Sequence, residues 1–329
     1  MARPDPGITF IAFNQDQGCF TCCLKTGLRI YNVEPLCEKA HYSQSDIGEV
    51  KICEMVFRTN LLLLVTQKRP DFVLVLDDNE RAIRAKIQFF SDVRCVCARR
   101  EKFAVGLDTI IHVITIPLLT CVAVLPSGQN ALMRMSLSTS IEALHLLAAP
   151  AQRTGSVLLV DVTRAVNGSH SSSPSVLNCH NHELACVRLS SDGKLLATAS
   201  ILGTVIRVFD AINRIFLYEL RRGADYASIY CLQFNHISTL LSCISDKGTV
   251  HVWVVNENVP GSKAGEHVAI ARASPNVRSL CAFLEDDAAI AVICQDGTFH
   301  KFTFTMGGTS RLLDCENYLK VGDDDDCFK

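Results

Sequence analysis

The sequence lacks a large net charge of either sign and a long uninterrupted apolar run. Its 329 residues carry a formal net charge of −2. A nonspecific electrostatic grip on nucleic acid or an acidic membrane is therefore not expected, and anion binding would require a local site. The most apolar run, residues 103–125, is interrupted by Asp108, His112 and Pro117. It predicts two buried strands and a turn rather than a membrane span.

Motifs of metal binding and catalysis are missing as well. Among 16 cysteines, Cys19 and Cys22 form the only C-x-x-C, and no second pair or histidine stands at zinc-finger spacing. These cysteines, with Cys23, predict buried thiols in a reducing, cytosolic compartment. The sequence has no nucleophile elbow, phosphate loop or paired-carboxylate motif. We therefore expect a non-enzymatic protein without a metal or other cofactor.

Long helical periodicity is almost absent, whereas short strand-like runs repeat along the chain. Each unit has a polar turn, an apolar strand, a small polar break ending in glycine, and a second strand. The breaks end at Gly27, Gly155, Gly203, Gly248 and Gly297, and the last four recur every 45 to 49 residues. This period is typical of a four-stranded propeller blade.

The interval between Gly27 and Gly155 leaves room for two more units, with breaks at Pro70-Asp71 and Asp108-Thr109. The sequence therefore predicts an all-β, seven-bladed β-propeller over residues 1–329 as a single domain. We expect the strand at Ile8 to Phe13 to complete the last blade, so that the two termini pair and close the ring.

Three segments are predicted to lie outside the blades. Residues 166–175 form a Ser-rich flexible loop. Residues 256–276 are interpreted as a polar connection in blade 6, and residues 323–329 form an acidic tail that includes Asp323 to Asp326.

Two adjacent arginines stand between polar sets of similar spacing. Because side chains alternate along an extended segment, Arg221 and Arg222 should face opposite sides. Blade 5 contributes His182, Ser200, Thr204 and Arg207, and blade 6 contributes Ser245, Thr249 and His251. Hydroxyls, imidazoles and guanidinium forks suit a phosphorylated inositol ring. Each hydroxyl or imidazole, taken alone, is more typical of a hydrogen bond that stabilises a blade, and it is the duplicated set around the arginine pair that favours a binding site.

Several motifs resemble the PROPPIN family of β-propellers. They are Leu220-Arg221-Arg222-Gly223, the segment from Ala197 to Asp210 before it, and the segment from Ser245 to His251 after it. Residues 13–20 and 27–36 also resemble the family, and residues 296–304 and the acidic end are similar to its animal WIPI branch, nearest the WDR45 type. The family's Trp-Asp pair appears here as Phe209-Asp210.

This resemblance implies an effector, expected as a monomer, that binds phosphatidylinositol 3-phosphate and phosphatidylinositol 3,5-bisphosphate. It implies a cytoplasmic protein that associates peripherally with preautophagosomal and endosomal membranes and recruits autophagy machinery. The first lipid site would use His182, Ser200, Thr204, Arg207 and Arg221. The second would use Arg222, Ser245, Thr249 and His251.

The resemblance also implies that Asn14 and Asp16 dock an autophagy lipid-transfer protein, although both could be plain turn residues. Family members carry a long apolar loop in blade 6, whereas residues 256–276 are short and hold only Val259, Val268 and Ile270 as sizeable apolar groups. An alternative function is therefore a protein-docking propeller with a weakened lipid site.

Overall fold

The computed structural model describes residues 7–128, 134–164, 174–256 and 263–322. It confirms the all-β propeller: seven sheets each hold four consecutive antiparallel strands. Two short helical segments lie outside the sheets, α1 (Gln44–Ile47) and a 3₁₀ turn at Tyr318–Lys320. The strands of blades 1 to 4 are β1 (Ile8–Phe13), β2 (Cys19–Leu24), β3 (Gly27–Asn32), β4 (Cys37–Ser43), β5 (Val50–Met55), β6 (Leu61–Thr66), β7 (Phe72–Asp77), β8 (Ala82–Gln88), β9 (Cys95–Ala98), β10 (Lys102–Gly106), β11 (Ile110–Thr115), β12 (Cys121–Pro126), β13 (Ser136–Leu137), β14 (Leu146–Pro150), β15 (Ser156–Asp161) and β16 (Ser175–Asn178). Those of blades 5 to 7 are β17 (Leu184–Leu189), β18 (Leu195–Ser200), β19 (Val205–Asp210), β20 (Ile215–Arg221), β21 (Ile229–Phe234), β22 (Leu240–Ser245), β23 (Thr249–Val254), β24 (His267–Arg272), β25 (Ser279–Phe283), β26 (Ala289–Cys294), β27 (Thr298–Phe304) and β28 (Ser310–Asn317).

The predicted breaks are the turns between the second and third strands of the blades. Gly155, Gly203, Gly248 and Gly297 lie in these turns, and Gly27 directly follows one as the first residue of β3. Pro70-Asp71 and Asp108-Thr109 occupy the same place in blades 2 and 3. The apolar run of residues 103–125 spans three strands, β10 to β12, rather than the predicted two. Cys22 and Cys23 are buried free cysteines in β2, as predicted.

The core lies between neighbouring blades, because each strand presents one set of side chains to each adjacent sheet. Leu220 and Ile206 of blade 5, for example, share a buried cluster with Trp253 and Ile229 of blade 6. The first strand of each blade lies innermost, contacts the first strands of neighbouring blades, and lines a central channel.

The predicted closure of the ring by paired termini is wrong. Strand β1 pairs with β2 inside blade 1, and residues 279–283 supply the inner strand of blade 7, so no place remains there for an N-terminal strand. Blades 1 and 7 close the ring by packing instead. The ring of Tyr318 contacts Phe20 and Tyr31 edge-on at centroid distances of 5.2 and 5.4 Å. The Phe283 N–H donates to Gln17 Oε1 at 2.8 Å.

The predicted blade 6 connection is also shorter than expected. Its second half forms β24, the outer strand of blade 6, so the connection is confined to residues 255–266. Val268 is buried in the core, and Ile270 is 43% exposed. Val259, the Ser-rich residues 166–173 and the acidic tail 323–329 lie outside the described residues. Within the described ranges, no helix is long and apolar enough to cross a membrane, and no three His, Cys, Asp or Glu side chains are grouped as metal ligands.

Candidate functional site

The turns from Ser200 to Gly203 and from Ser245 to Gly248 have the same structure. In each, the glycine N–H donates to the serine carbonyl, at 3.0 Å in blade 5 and 2.9 Å in blade 6. Both glycines have positive φ, +64° and +70°, which favours glycine. A Cβ at Gly203 would also lie 1.8 Å from the carbonyl oxygen of Ala227. Equivalent turns therefore end the second strands of these two blades.

The strand register places Arg207 and His251 at equivalent positions. Arg207 lies opposite Thr198, and His251 lies opposite Cys243. Thr198 and Cys243 each stand two residues before the serine that opens the turn. The third strands of blades 5 and 6 therefore present a guanidinium and an imidazole at the same place.

The hydroxyl residues of the two turns differ in position and exposure. We call the surface that holds His182, Ser200, Thr204 and Arg207 the first notch, and the surface that holds Ser245, Thr249 and His251 the second notch. Ser200 and Ser245 are buried, 3% and 0% exposed, so a ligand would reach each of them only by entering its notch. Thr204 and Thr249 are half-buried. The four turn residues match, but the third strand begins one residue later in blade 5, because Thr249 begins β23 whereas Thr204 precedes β19. Each threonine follows its serine by four residues. Relative to the start of the third strand, however, Thr204 and Thr249 differ by one position.

Arg207 is held on the side of blade 5 that faces blade 4. Its Nη1 donates to the carbonyl oxygen of Cys179 at 2.7 Å, and its Nε donates to Glu219 Oε2 at 2.9 Å. Neither Arg207 nor Glu219 is fully buried, with side chains 35% and 46% exposed. The first notch therefore contains a fixed guanidinium with a carboxylate beside it.

A buried histidine supports this notch, next to the predicted one. His180 Nε2 lies 3.0 Å from Thr198 Oγ1, and that hydroxyl donates to the carbonyl oxygen of Arg207 at 3.3 Å. Burial, with the Arg207 charge nearby, lowers the pKa of His180 to about 4, so this imidazole is neutral near pH 7. His182 is exposed and makes no hydrogen bond with any described residue, which leaves both ring nitrogens accessible.

The backbone of β20 directs Arg221 and Arg222 to opposite faces. Glu219 contacts Arg207 on the blade 4 side, whereas Leu220 is 1% exposed and packs with Trp253 on the blade 6 side. Side chains two apart on a strand share a face. Arg221 therefore faces the first notch with Glu219, and Arg222 follows Leu220 toward the second.

The two guanidiniums differ in their partners. Arg222 Nε donates to the carbonyl oxygen of Gly203 at 2.6 Å, and its Nη2 donates to that of Asp225. The Arg221 side chain is exposed and forms no hydrogen bond or ion pair with any residue in the described ranges. Arg222 thus fixes the turn between the blades, and Arg221 is an available cation.

The second notch contains a pair of neutral histidines beside Arg222. His251 Nδ1 lies 3.2 Å from His267 Nε2, and the His251 ring stacks on Trp253 at 5.5 Å with an interplanar angle of 12°. Burial, together with His267 and Arg222, lowers the pKa of His251 to about 4. Burial also lowers the pKa of His267. One imidazole therefore donates to the other, and Arg222 supplies the positive charge.

Sequence reasoning missed three side chains of these notches. Glu219 stands two residues before Arg221 in β20, which is the spacing of one strand face, and that spacing could have identified it. His180 lies in the connection between β16 and β17, where strand periodicity gives no signal. His267 was missed because residues 256–276 were interpreted as loop.

Asn14 was expected to lie on an exposed turn, where it could dock a partner, but it is buried. It is 2% exposed, its Oδ1 accepts from the Cys19 N–H at 3.1 Å, and its Nδ2 donates to the Phe57 carbonyl at 3.3 Å. An amide satisfies turn backbone groups in this way at low cost. Asp16 is half-exposed and pairs with Arg58 at 3.0 Å. Of the two residues, only Asp16 is accessible to a partner.

Comparison with known proteins gives sequence relatives and structural neighbours. SVP1-like protein 2 of Pichia angusta is 30% identical over 257 residues, which cover 76% of this chain and 70% of that protein. SVP1-like protein 2 of Candida glabrata is 28% identical over 291 residues, covering 79% of this chain and 65% of that protein.

Two solved structures share the fold at low identity. Kluyveromyces lactis Hsv2, described with complete loop 6CD, has a TM-score of 0.82 at 20% identity and covers 95% of this chain and 99% of its own. The KlAtg21 propeller, solved in complex with the coiled-coil of AgAtg16, has a TM-score of 0.81 at 23% identity and covers 94% and 99%. The PROPPIN family model matches residues 7–275. The chain therefore belongs to the PROPPIN family, propellers that are known as phosphoinositide-binding and autophagy-related and are generally non-enzymatic.

Proposed function

We propose that this chain binds phosphatidylinositol 3-phosphate and phosphatidylinositol 3,5-bisphosphate on membranes and recruits autophagy machinery for autophagosome formation. It acts as a monomer at the cytoplasmic surface of preautophagosomal and endosomal membranes. Its protein partners include an autophagy lipid-transfer protein. Membership of the PROPPIN family supports the lipid class, and the two notches support the choice of residues.

The observation that carries this proposal is the exposed guanidinium of Arg221. A planar fork of five N–H donors fits phosphate oxygens bidentately. Arg221 has no partner among the described residues and lies on the same face as Arg207. A 3-phosphate entering the first notch would bind Arg221, with His182 and Thr204 available at its edge and Ser200 deeper in the turn.

The second notch offers a different donor set. Arg222 is already bonded to two carbonyls, so a headgroup there would compete with Gly203 and Asp225 or use the remaining guanidinium nitrogen. Thr249 and His251 add a hydroxyl and a neutral imidazole, and Ser245 lies buried behind them. We therefore assign the stronger site to the first notch and an auxiliary site to the second.

Flotation with liposomes tests the lipid function. The double substitution Arg221→Thr with Arg222→Thr removes both guanidiniums. Each charged hydrogen-bonding interaction contributes about 1.5–3 kcal/mol, so loss of one site weakens binding roughly ten- to a hundredfold. Loss of both should abolish flotation, because two sites on one membrane act at high effective concentration. Liposomes with and without the 3-phosphorylated lipids are compared.

A matched control removes two exposed cations elsewhere. Lys68→Thr with Arg311→Thr lowers the net charge equally, on blades 2 and 7, and leaves both notches intact. This control should float like the wild type. Equal flotation of wild type and the Arg221/Arg222 variant, with intact near-ultraviolet circular dichroism, would overturn the lipid assignment.

A protein-docking propeller with a weakened lipid site is the second candidate. It is favoured by the use of Arg222 within the protein and by the short connection at residues 255–266. The KlAtg21 structure holds a coiled-coil of AgAtg16, which shows that such a propeller serves as a docking platform. Partner capture without any flotation on 3-phosphorylated liposomes would select this candidate.

A further inference from the structure

The channel through the centre of the propeller is large enough for a small molecule. Its cavity has a volume of about 690 Å³ and is lined by the first strands of the blades. Small-molecule sites in proteins span roughly 300–1,000 Å³. None of the notch residues lines the channel, because they lie on the second, third and fourth strands, in the turns and in the connection before β17.

Basic side chains are concentrated at one mouth of this channel. Lys51, Arg94, Arg134 and Arg278 line the cavity, each within two residues of the start of an inner strand, in blades 2, 3, 4 and 7. The blades repeat one meander, so their inner strands run in the same direction and begin at the same mouth. Arg188 of β17 lines the channel farther in.

Most of these cations lack a counter-charge. Arg94 pairs with Asp108 at 2.7 Å. Lys51, Arg134, Arg188 and Arg278 form no ion pair with any residue that the structure describes. Arg188 donates to the neutral amide of Gln233.

The strongest sign of uncompensated positive charge in the channel is at Arg134. Its Nε is buried and has no hydrogen-bond partner among the residues that the structure describes. Burial and the neighbouring Arg134 lower the pKa of Arg278, as two guanidiniums on one side of a cavity should. A hydrogen bond with Cys281, together with Arg188 and Arg134, lowers the pKa of the Cys231 thiol, although burial acts in the opposite direction. The local potential is therefore positive.

The acidic groups of the channel do not neutralise this charge. Asp16 is paired with Arg58 at 3.0 Å. Glu54 accepts from the Ala98 N–H at 3.1 Å and from Gln15 Nε2 at 2.8 Å, and burial raises its pKa to about 7. Four unpaired cations thus share one carboxyl that is only partly ionised near neutral pH.

We propose that the basic mouth of the central channel binds a soluble, multiply phosphorylated small molecule through Lys51, Arg134, Arg188 and Arg278. Cations arriving from several blades suit an anion with several phosphate groups, and guanidinium forks bind phosphate bidentately. A cavity of about 690 Å³ has the size of a small-ligand site. A membrane headgroup carries the same phosphate chemistry, and the experiment below separates the two sources.

Inorganic tripolyphosphate is the probe, titrated calorimetrically into the full chain at roughly 50 mM salt, where phosphate–cation contacts are strong. The variant Arg134→Gln with Arg278→Gln should bind it at least about tenfold more weakly. The variant Lys68→Thr with Arg311→Thr, whose two cations lie outside both the channel and the notches, is the matched control and should keep the wild-type affinity. The rim variant Arg221→Thr with Arg222→Thr is titrated beside it. Loss of binding in the rim variant alone would place the anion at the notches and overturn the proposal.

Thermal unfolding distinguishes a binding site from a structural role. Removing uncompensated like charges should leave the midpoint of the Arg134/Arg278 variant unchanged or higher without the probe. Tripolyphosphate should raise the wild-type midpoint, since a ligand stabilises the state that it binds, and should not raise that of the variant. If this variant does not fold, Lys51→Glu reverses one unpaired charge at the mouth, and unchanged tripolyphosphate affinity in it rejects the proposal.

Vesicles of phosphatidylcholine with phosphatidylinositol 3-phosphate separate the two phosphate sources. The Arg134/Arg278 variant should float with them like the wild type. Loss of flotation in this variant, with tripolyphosphate binding retained, would assign the mouth to a headgroup and reject a soluble ligand.

Discussion

Glu219 holds the guanidinium of Arg207 through two contacts of 2.9 Å, from Nε and Nη2 to the same carboxylate oxygen, Oε2. Both residues lie on the face of blade 5 that also carries Arg221. The proposed phosphate site therefore contains its own negative charge. A bound phosphate would have to share Arg207 with Glu219 and would be repelled by its carboxylate.

Replacing Glu219 by Gln should strengthen binding to liposomes containing phosphatidylinositol 3-phosphate. A partly exposed ion pair contributes about 0.2–1 kcal/mol, so we expect a gain of roughly two- to fivefold, smaller at high salt. A liposome titration at two salt concentrations measures it. Glu142→Gln, which removes an exposed carboxylate from blade 4, should change nothing. Weaker binding of the Glu219 variant would mean that the carboxylate positions Arg207 for the ligand.

Single substitutions of Arg221 and Arg222 should have different effects on lipid binding and on stability. Arg221→Thr should reduce lipid binding and leave the free energy of unfolding unchanged, because its side chain is exposed and without partners in the described chain. Arg222→Thr should lower the free energy of unfolding by about 1–3 kcal/mol, since the Gly203 and Asp225 carbonyls lose a charged donor. Urea unfolding and flotation of each variant measure the two effects. Equal stability loss in both would contradict the assigned geometry.

The sequence predicted the blades because its turns demand particular residues. Gly203 and Gly248 must adopt positive φ against nearby carbonyls, so their spacing reports the fold directly. The alternation of Arg221 and Arg222 follows equally from strand geometry. Such local constraints are visible in the chain without any knowledge of tertiary contacts.

The predictions were wrong at positions where tertiary packing, rather than local sequence, determines the structure. Whether Ile8 to Phe13 joins blade 1 or blade 7 depends on which strand is left unpaired, which periodicity does not show. The one-residue difference between Thr204 and Thr249 depends on the residue at which each third strand begins to pair. Asn14 has the same turn chemistry whether exposed or covered, and its burial comes from the neighbouring blade, through Phe57.

The stability of the propeller should fall as the pH drops from about 6.5 to 4. The pKa values of His180 and His251 are about 4 in the folded protein, below the ordinary value near 6.5. In this window the unfolded chain binds protons that the folded chain does not, so acid favours unfolding. The neutral-histidine contribution is fully present above pH 6.5 and is lost toward pH 4.

The thermal midpoint, measured from pH 7.5 to 4.5, tests this dependence. His251→Phe keeps an aromatic ring beside Trp253 and removes the titrating group, so its midpoint should fall less steeply with acid than that of the wild type. Identical slopes would show that His251 is not responsible.

Asn14 and Asp16 should behave differently, because only Asp16 is accessible. Asn14→Ala leaves the Cys19 N–H and the Phe57 carbonyl without their partner in a buried site, which should cost about 1–3 kcal/mol of folding free energy. Asp16→Ala removes a partly exposed ion pair with Arg58 and should cost less than about 1 kcal/mol. If the blade 1 turn docks the lipid-transfer partner, Asp16→Ala should abolish its capture in a pull-down and leave flotation intact. Arg58→Ala removes the same ion pair while keeping the Asp16 carboxylate, and so controls for loss of the pair itself. Capture that survives Asp16→Ala would place the partner on another surface of the propeller.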